Sequence, residues 1–165
     1  MKARLILISL LLLTTACGFH LRGSQTANID IDNIYVNPSS APRLARETIS
    51  QLGAAGTTVA KSSTGATYIV TLKEEKFDRN VLSVSADTGK VQEFQVVFNA
   101  KIDASHPDGR NIINNDIIRV TRDITFDENA VLGKFTEEAL IQEGLVRSAA
   151  SQVLRRLQAK LPTSK

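Results

Sequence analysis

The stretch Glu93-Phe94-Gln95-Val96-Val97-Phe98-Asn99-Ala100-Lys101-Ile102 decides the fold. Phe94, Val96, Phe98, Ala100 and Ile102 fall on one side of an extended chain, and Glu93, Gln95, Asn99 and Lys101 on the other, with Val97 the exception. Successive side chains of a strand point to opposite faces, so this pattern describes a sheet with one face on a core and one face toward water. Upstream, Tyr68, Val70 and Leu72 alternate with Ile69, Thr71 and Lys73 in a second strand that runs toward Phe77 or beyond. The two are joined through Ala86-Asp87-Thr88-Gly89-Lys90, which has hairpin-turn chemistry because Gly89 takes a positive φ without strain. Downstream, residues 105–115 with Pro107-Asp108-Gly109 read as a longer turn. A further strand then places Ile118, Val120, Ile124 and Phe126 inward, with Arg122 interrupting the row, and Arg119, Thr121, Asp123 and Thr125 outward.

Helical spacing flanks this meander. Leu44, Thr48, Ile49 and Leu52 recur over residues 42–52, with Ser40 or Ala41 at the cap, Pro42 in the first turn and Gly53 at the exit. Ahead of it, Ile29, Ile31, Ile34 and Val36 alternate imperfectly with Asp30 and Asp32 as a first strand, closed by Asn37-Pro38-Ser39-Ser40. A long helix is predicted from about Thr136 to Leu161, where Pro162 stops it; its stripe is Val146, Ala149, Ala150, Val153, Leu157 and Leu161. Thr136 serves as its cap, with Glu137 and Glu138 at the positive end and Gly144 a weak point in its early turns. The expected architecture is α+β: a two-layer sandwich of a four-stranded, mostly antiparallel sheet with two helices on one face, in the order β-α-β-β-β-α.

The first residues belong to another kind of segment. Lys2 and Arg4 precede an apolar run over residues 5–13 that only Ser9 interrupts, followed by Thr14, Thr15, Ala16 and Cys17. Crossing a membrane core of about 30 Å takes roughly 20 apolar helical residues, so the run is too short for a permanent span and reads as a removable leader. With Leu13-Thr14-Thr15-Ala16 ahead of Cys17, the segment resembles the lipobox of bacterial lipoproteins, although the usual leucine three residues before the cysteine is here Thr14. That resemblance implies cleavage after residue 16 and acylation of Cys17, the only cysteine of the chain. With Gly18 rather than aspartate after it, the lipoprotein resemblance implies the outer membrane, on its periplasmic side. Residues 17–28 are then a lipidated tether and residues 29–165 a single domain.

Composition limits the function. The formal charge is +3, and Lys2 and Arg4 account for two of the 20 basic residues, which leaves the mature chain one charge in excess of its 17 acidic ones. Nucleic-acid binding loses its electrostatic support. The two histidines, His20 and His106, lie in a tether and a turn without metal-spaced companions, and adjacent pairs such as Glu74 with Glu75 do not converge within regular structure. No phosphate loop, nucleophile elbow or zinc motif is present, so no catalytic residue, metal or cofactor is assigned and a binding or structural module is expected. Basic residues near loops, Arg79, Lys90, Arg119, Arg122 and Lys134, are candidates for phosphorylated sugars if they gather at one end of the sheet. Arg122 is the least readily explained as a solvated charge.

In this setting the hexapeptide Cys17-Gly18-Phe19-His20-Leu21-Arg22 becomes specific. It resembles the mature start of the LptE family of lipopolysaccharide-assembly lipoproteins. Glu93-Phe94-Gln95 after a glycine hairpin and Ala149-Ala150 followed by Leu154-Arg155-Arg156-Leu157 and Lys160-Leu161-Pro162 extend the similarity thinly over the chain. The resemblance implies a non-enzymatic plug in one-to-one complex with the outer-membrane β-barrel LptD, which it helps to assemble, and contact with lipopolysaccharide in transit. It further implies a lipopolysaccharide contact at Lys134, before the last helix, and one at the hairpin tip, where the matching place is Asp87 and Lys90 lies three residues on. A different outer-membrane scaffold or assembly-machine subunit without lipopolysaccharide binding is the main rival, and a small periplasmic hydrolase a remote one.

Overall fold

A computed structural model describes residues 33–125 and 134–161. Its elements, in chain order, are β1 (Ile34–Asn37), α1 (Pro42–Ala54), β2 (Val59–Ala60), β3 (Tyr68–Val84), β4 (Val91–Ser105), β5 (Asn111–Thr125) and α2 (Lys134–Lys160). The sheet runs β2-β1-β3-β4-β5. Strand β1 is parallel to β2 and β3, while β3, β4 and β5 form an antiparallel meander. The α+β class and the mostly antiparallel character are as the sequence implies. The strand number is five rather than four, because Val59–Ala60 pairs with Ile34 and Tyr35. Two residues are too few to show an alternation, so their role as a sheet edge has no sequence signature. The leader, Cys17, the tether, the early part of the first strand (29–32) and Phe126 lie outside the described residues.

Both helices cover one face. Phe94, Val96, Phe98, Ala100 and Ile102 of β4 share a core with Val70 and Leu72 of β3, Leu44, Ala45 and Leu52 of α1, and Leu145, Ala149, Val153 and Leu157 of α2. Every predicted stripe residue of α2 is buried. In α1 the buried set is Leu44, Ala45, Thr48 and Leu52, while Ile49 is 39% exposed: the small Ala45 takes the place at the seam. Helix α2 begins two residues earlier than the sequence suggests, at Lys134. Its 27 residues extend about 40 Å at about 1.5 Å each, enough to lie along the strands of β4 and β5.

Two one-residue bulges set which side chains face the helices. In the β3–β4 ladder, Lys73 pairs with Lys101 and Lys76 with Asn99, so Glu74 and Glu75 together stand opposite Ala100. The inward positions of β3 are therefore Tyr68, Val70 and Leu72 before the bulge, and Phe77 and Arg79 after it. In the β4–β5 ladder, Ile102 pairs with Asp116 and Ala104 with Ile113, leaving an extra residue near Asn115. Glu74 and Asn115 carry the positive φ values of 57° and 53°. This second bulge corrects the sequence reading of residues 105–115 as one long turn: the turn is His106 to Arg110, and β5 starts at Asn111. A phase change inside a strand hides its beginning, because Ile113 and Ile118 point to the same face from positions of opposite parity.

Each bulge is held by a carboxylate. The Leu44 N–H in the first turn of α1 donates to Glu75 Oε2 at 2.9 Å, and the Glu74 N–H donates to Ser40 Oγ at 2.8 Å. Ala41 is the N-cap residue and offers no side-chain acceptor, so Glu75 supplies the cap from the neighbouring strand. At the second bulge, the Asn115 N–H donates to Asp103 Oδ1 at 2.6 Å, and Lys73 Nζ lies 2.5 Å from Asp103 Oδ2. Burial works to raise the Asp103 pKa, but the Lys73 ammonium and the Asn115 N–H outweigh it and hold the carboxyl below its ordinary value.

Two predictions follow from these contacts. Replacing Glu75 with alanine leaves the α1 N-terminus uncapped and should lower stability by about 0.5–2 kcal/mol in urea unfolding, with Glu75→Gln losing less because it keeps an acceptor. Because the folded pKa of Asp103 is depressed, its contribution is present above the ordinary carboxylate value of 3.8 and is lost as pH falls through the lower folded value. Asp103→Asn should therefore be less stable than the parent at neutral pH, and the difference should shrink below about pH 4; a pH-independent difference in melting temperature would remove the linkage.

Candidate ligand and partner surfaces

The basic residues singled out in the sequence do not gather at one place. Arg119 lies on the outer face of the sheet, opposite Asn99, and its charge helps lower the pKa of Asp78 behind the larger effects of Lys76 and Asn99. Lys90 closes the β3–β4 hairpin: its carbonyl accepts the Ser85 N–H at 2.7 Å, and its own N–H donates to Thr88 Oγ1 at 3.4 Å. Gly89 there has φ 68°, as the turn chemistry requires. Lys134 is the first residue of α2, and its side chain lies outside the described residues.

Arg79 and Arg122 are brought together. Both are registered opposite Val96, one on each flanking strand, and both face the helices. Two strand spacings put their backbones about 10 Å apart. The Arg79 guanidinium stacks 3.9 Å from the centre of the Phe94 ring and reaches Glu138 Oε2 at 3.4 Å. Phe94 is buried to 6% exposure partly under this cation, a favourable arrangement because the ring face is electron-rich. Arg122 passes beside α2: a β-carbon at Gly144 would lie 3.6 Å from its guanidinium nitrogen. The interruption of the inward row is therefore a charge carried past the helix at a glycine rather than an error of alternation.

The outer face carries several paired polar groups beside the exposed Ile117 and Arg119. Lys73 pairs with Asp103, Lys101 with Glu74 at 2.6 Å, and Lys76 with Asp78 at 2.7 Å; Gln95 Nε2 donates to Asp123 at 2.8 Å and Asn99 Nδ2 to Asp78 at 3.2 Å. Val97, the exception in the alternation, points into this face at 1% exposure and stands outside the helix-covered core. Its neighbours across the ladders are Asp78 and Thr121.

Sequence reasoning missed Arg43 and the contacts that Glu75 and Glu138 make with Leu44 and Arg79. Arg43 lies 4.9 Å from the Phe77 ring centre and donates to Gln142 Oε1 at 3.1 Å. These partners are separated by tens of residues and meet only after the helices dock, so spacing carries no trace of them. Among the described residues no group of His, Cys, Asp and Glu side chains is arranged to hold a metal ion.

A sheet with one helix-covered face and one paired polar face defines a two-layer α+β domain that offers surfaces to partners. Comparison with known proteins places it further. Residues 28–157 match the family described as LptE, lipopolysaccharide-assembly, and the chain belongs to that family. It is 29% identical over 157 residues to an LPS-assembly lipoprotein LptE of Photorhabdus laumondii, covering 92% of this chain and 83% of that one. The fold is shared with the solution structure of an uncharacterized lipoprotein B from Nitrosomonas europaea, at TM-score 0.70 and 21% identity over 86% of this chain and 91% of that one. It is also shared with the rare lipoprotein B of Shewanella oneidensis, at TM-score 0.65 and 20% identity over 76% and 93% of the two chains.

The Gly144 contact is testable. At 3.6 Å an added methyl group meets Arg122 at ordinary van der Waals distance, so Gly144→Ala should stabilise the fold by about 0.5–1 kcal/mol through helix propensity. Gly144→Leu should instead displace Arg122, and equal stability of the two variants in thermal unfolding would remove Arg122 from this position.

Proposed function

We propose that this chain is the lipid-anchored partner of the outer-membrane β-barrel LptD, seated within the barrel, assisting its assembly and touching lipopolysaccharide on its way to the surface. In this reading residues 1–16 are cleaved, Cys17 is acylated, residues 17–28 are the tether and residues 29–165 form the working domain on the periplasmic side of the outer membrane. Anchorage in this reading rests on the lipid at Cys17; no helix among the described residues is long and apolar enough to cross a membrane. Two or more acyl chains hold a protein stably where one holds it marginally.

The observation that carries the reading is the outer face of the sheet. Its Lys73, Lys76 and Lys101 ammonium groups are already matched by Asp103, Asp78 and Glu74. Such a face suits the polar interior of a large barrel, because most of its charges are matched within it, and lumen side chains or water complete Arg119 and the remaining polar groups. Arg79 and Arg122, side by side on the helix-covered face, supply guanidinium groups for phosphorylated sugars, with Lys134 at the start of α2 and Lys90 and Arg119 as further cationic contacts. Family membership supports a role in lipopolysaccharide transport. An enzymatic role receives no support from the family.

Affinity purification of the full-length, acylated protein from detergent-solubilised outer membranes tests the partner. A large β-barrel recovered one-to-one is the expected result; recovery without any barrel would favour a scaffold elsewhere in the envelope. For the ligand, Lys134→Asp removes one charge-assisted contact worth about 1.5–3 kcal/mol and should weaken lipopolysaccharide binding by about tenfold or more with an unchanged circular-dichroism spectrum. Equal binding by parent and variant would exclude Lys134 as a contact.

A further inference from the structure

The seam between the helices holds a second cluster of charge that the reading above does not use. A cavity of about 290 Å³ opens between α1 and α2, lined by Arg43, Arg46, Glu47, Glu143, Val146 and Arg147. Three guanidinium groups and two carboxylates thus face one small volume. Part of this set is fixed in place. Arg43 is held by the Phe77 ring and by Gln142. Glu47 accepts from Gln51 Nε2 at 2.9 Å and lies 4.0 Å from Arg147 Nε, while Gln51 also donates to the Arg147 carbonyl at 3.0 Å and accepts from Ser151 Oγ at 3.0 Å. The walls of the groove are braced by hydrogen bonds that run between the helices.

Arg46 and Glu143 are different. They lie on opposite helices at the same groove, are exposed, and form no ion pair with each other or with another described residue. Across the same seam Arg147 and Glu47 approach to 4.0 Å, so the groove brings paired and unpaired charges of both signs together. A free cation and a free anion held apart across a cavity match a ligand that carries both signs. A simple anion would meet the arginines but leave Glu47 and Glu143 repelling it, and a simple cation would meet the reverse.

We propose that this groove binds a zwitterionic phosphoethanolamine group. Arg43, Arg46 and Arg147 take the phosphate through charge-assisted N–H to oxygen bonds, for which the planar guanidinium is suited. Glu143, with Glu47 behind it, accepts from the primary ammonium, whose three N–H groups are all donors. Val146 supplies the apolar wall against which the two-carbon link between them rests. The site lies between the helices, on the side of the domain away from the outer face of the sheet.

The full-length protein in maltoside micelles, titrated calorimetrically with glycerophosphoethanolamine, tests this. Saturable binding is expected, weakened at least fivefold by Arg46→Glu and at least fivefold by Glu143→Gln, two exposed positions whose side chains make no contact that folding needs. Glycerophosphocholine should bind at least fivefold more weakly, because its trimethylammonium has no N–H to donate. Tighter binding of lysophosphatidylethanolamine in the same micelles would identify a lipid headgroup as the source, and equal or weaker binding a soluble ester; both support the site. Absence of saturable binding would overturn it. So would inorganic phosphate binding as tightly as the zwitterion with no effect of Glu143→Gln, which would mark a plain anion site.

Discussion

The bulge at Glu74 and Glu75 is the constraint on which the rest of this structure depends. One extra residue in β3 moves every later side chain to the other face of the sheet. Without it, the half-buried Phe77 would leave the edge of the core, where it meets Phe98 at a ring separation of 5.0 Å, and Arg79 would leave the helix-covered face. Fully burying a phenylalanine is worth about 1.5–3 kcal/mol, so exposing a half-buried one costs about half of that. The positive φ of Glu74 is unusual for a residue that is neither glycine nor asparagine, and its cost is offset locally. Ser40 accepts the Glu74 N–H, and Glu75 caps α1, so the strain in the strand and the open end of the helix are relieved by the same few atoms.

From that register the arginines acquire their places. Arg79 covers Phe94 because the bulge turns it toward the helices, and Arg122 shares its row because β5 has undergone its own one-residue shift near Asn115. The two shifts act in the same layer. They let three long strands present an apolar row close to the helices and, farther along, a row in which Val96 is flanked by two cations. Gly144 completes this arrangement, since a large side chain there would occupy the space of the Arg122 guanidinium. A residue that weakens the helix by propensity is thereby part of how a charged side chain passes it.

The two faces serve different purposes. The helix-covered face is closed by apolar packing and cation-to-ring contacts, whereas the opposite face is closed by ion pairs among its own residues. Exposed ion pairs contribute little stability one by one, so this face is held polar by its composition more than it is stabilised by its pairs. Sequence identity near 20% with solved relatives coexists with the same fold. What survives such divergence is a hydrophobic row of the right period and size, not particular side chains.

The sequence by itself determined the β4 alternation, the Gly89 hairpin and the stripe of α2. Each of these is written in neighbouring residues at a fixed period or in a fixed order, so each is legible without a fold. It also held the hexapeptide whose resemblance pointed to the LptE family, ahead of the residues 28–157 that match that family. The tertiary structure alone decided the positions of the two bulges, the existence of β2, the separation of Arg119 and Lys90 from Arg79 and Arg122, and the meeting of Arg43, Glu47 and Arg147 between the helices. Those outcomes rest on hydrogen bonds and packing between groups far apart in the chain, such as Glu75 with Leu44 and Arg122 with Gly144. A local pattern carries a period, but the choice of where to break that period belongs to the partners that satisfy the broken backbone, and these are in reach only once the layers have docked.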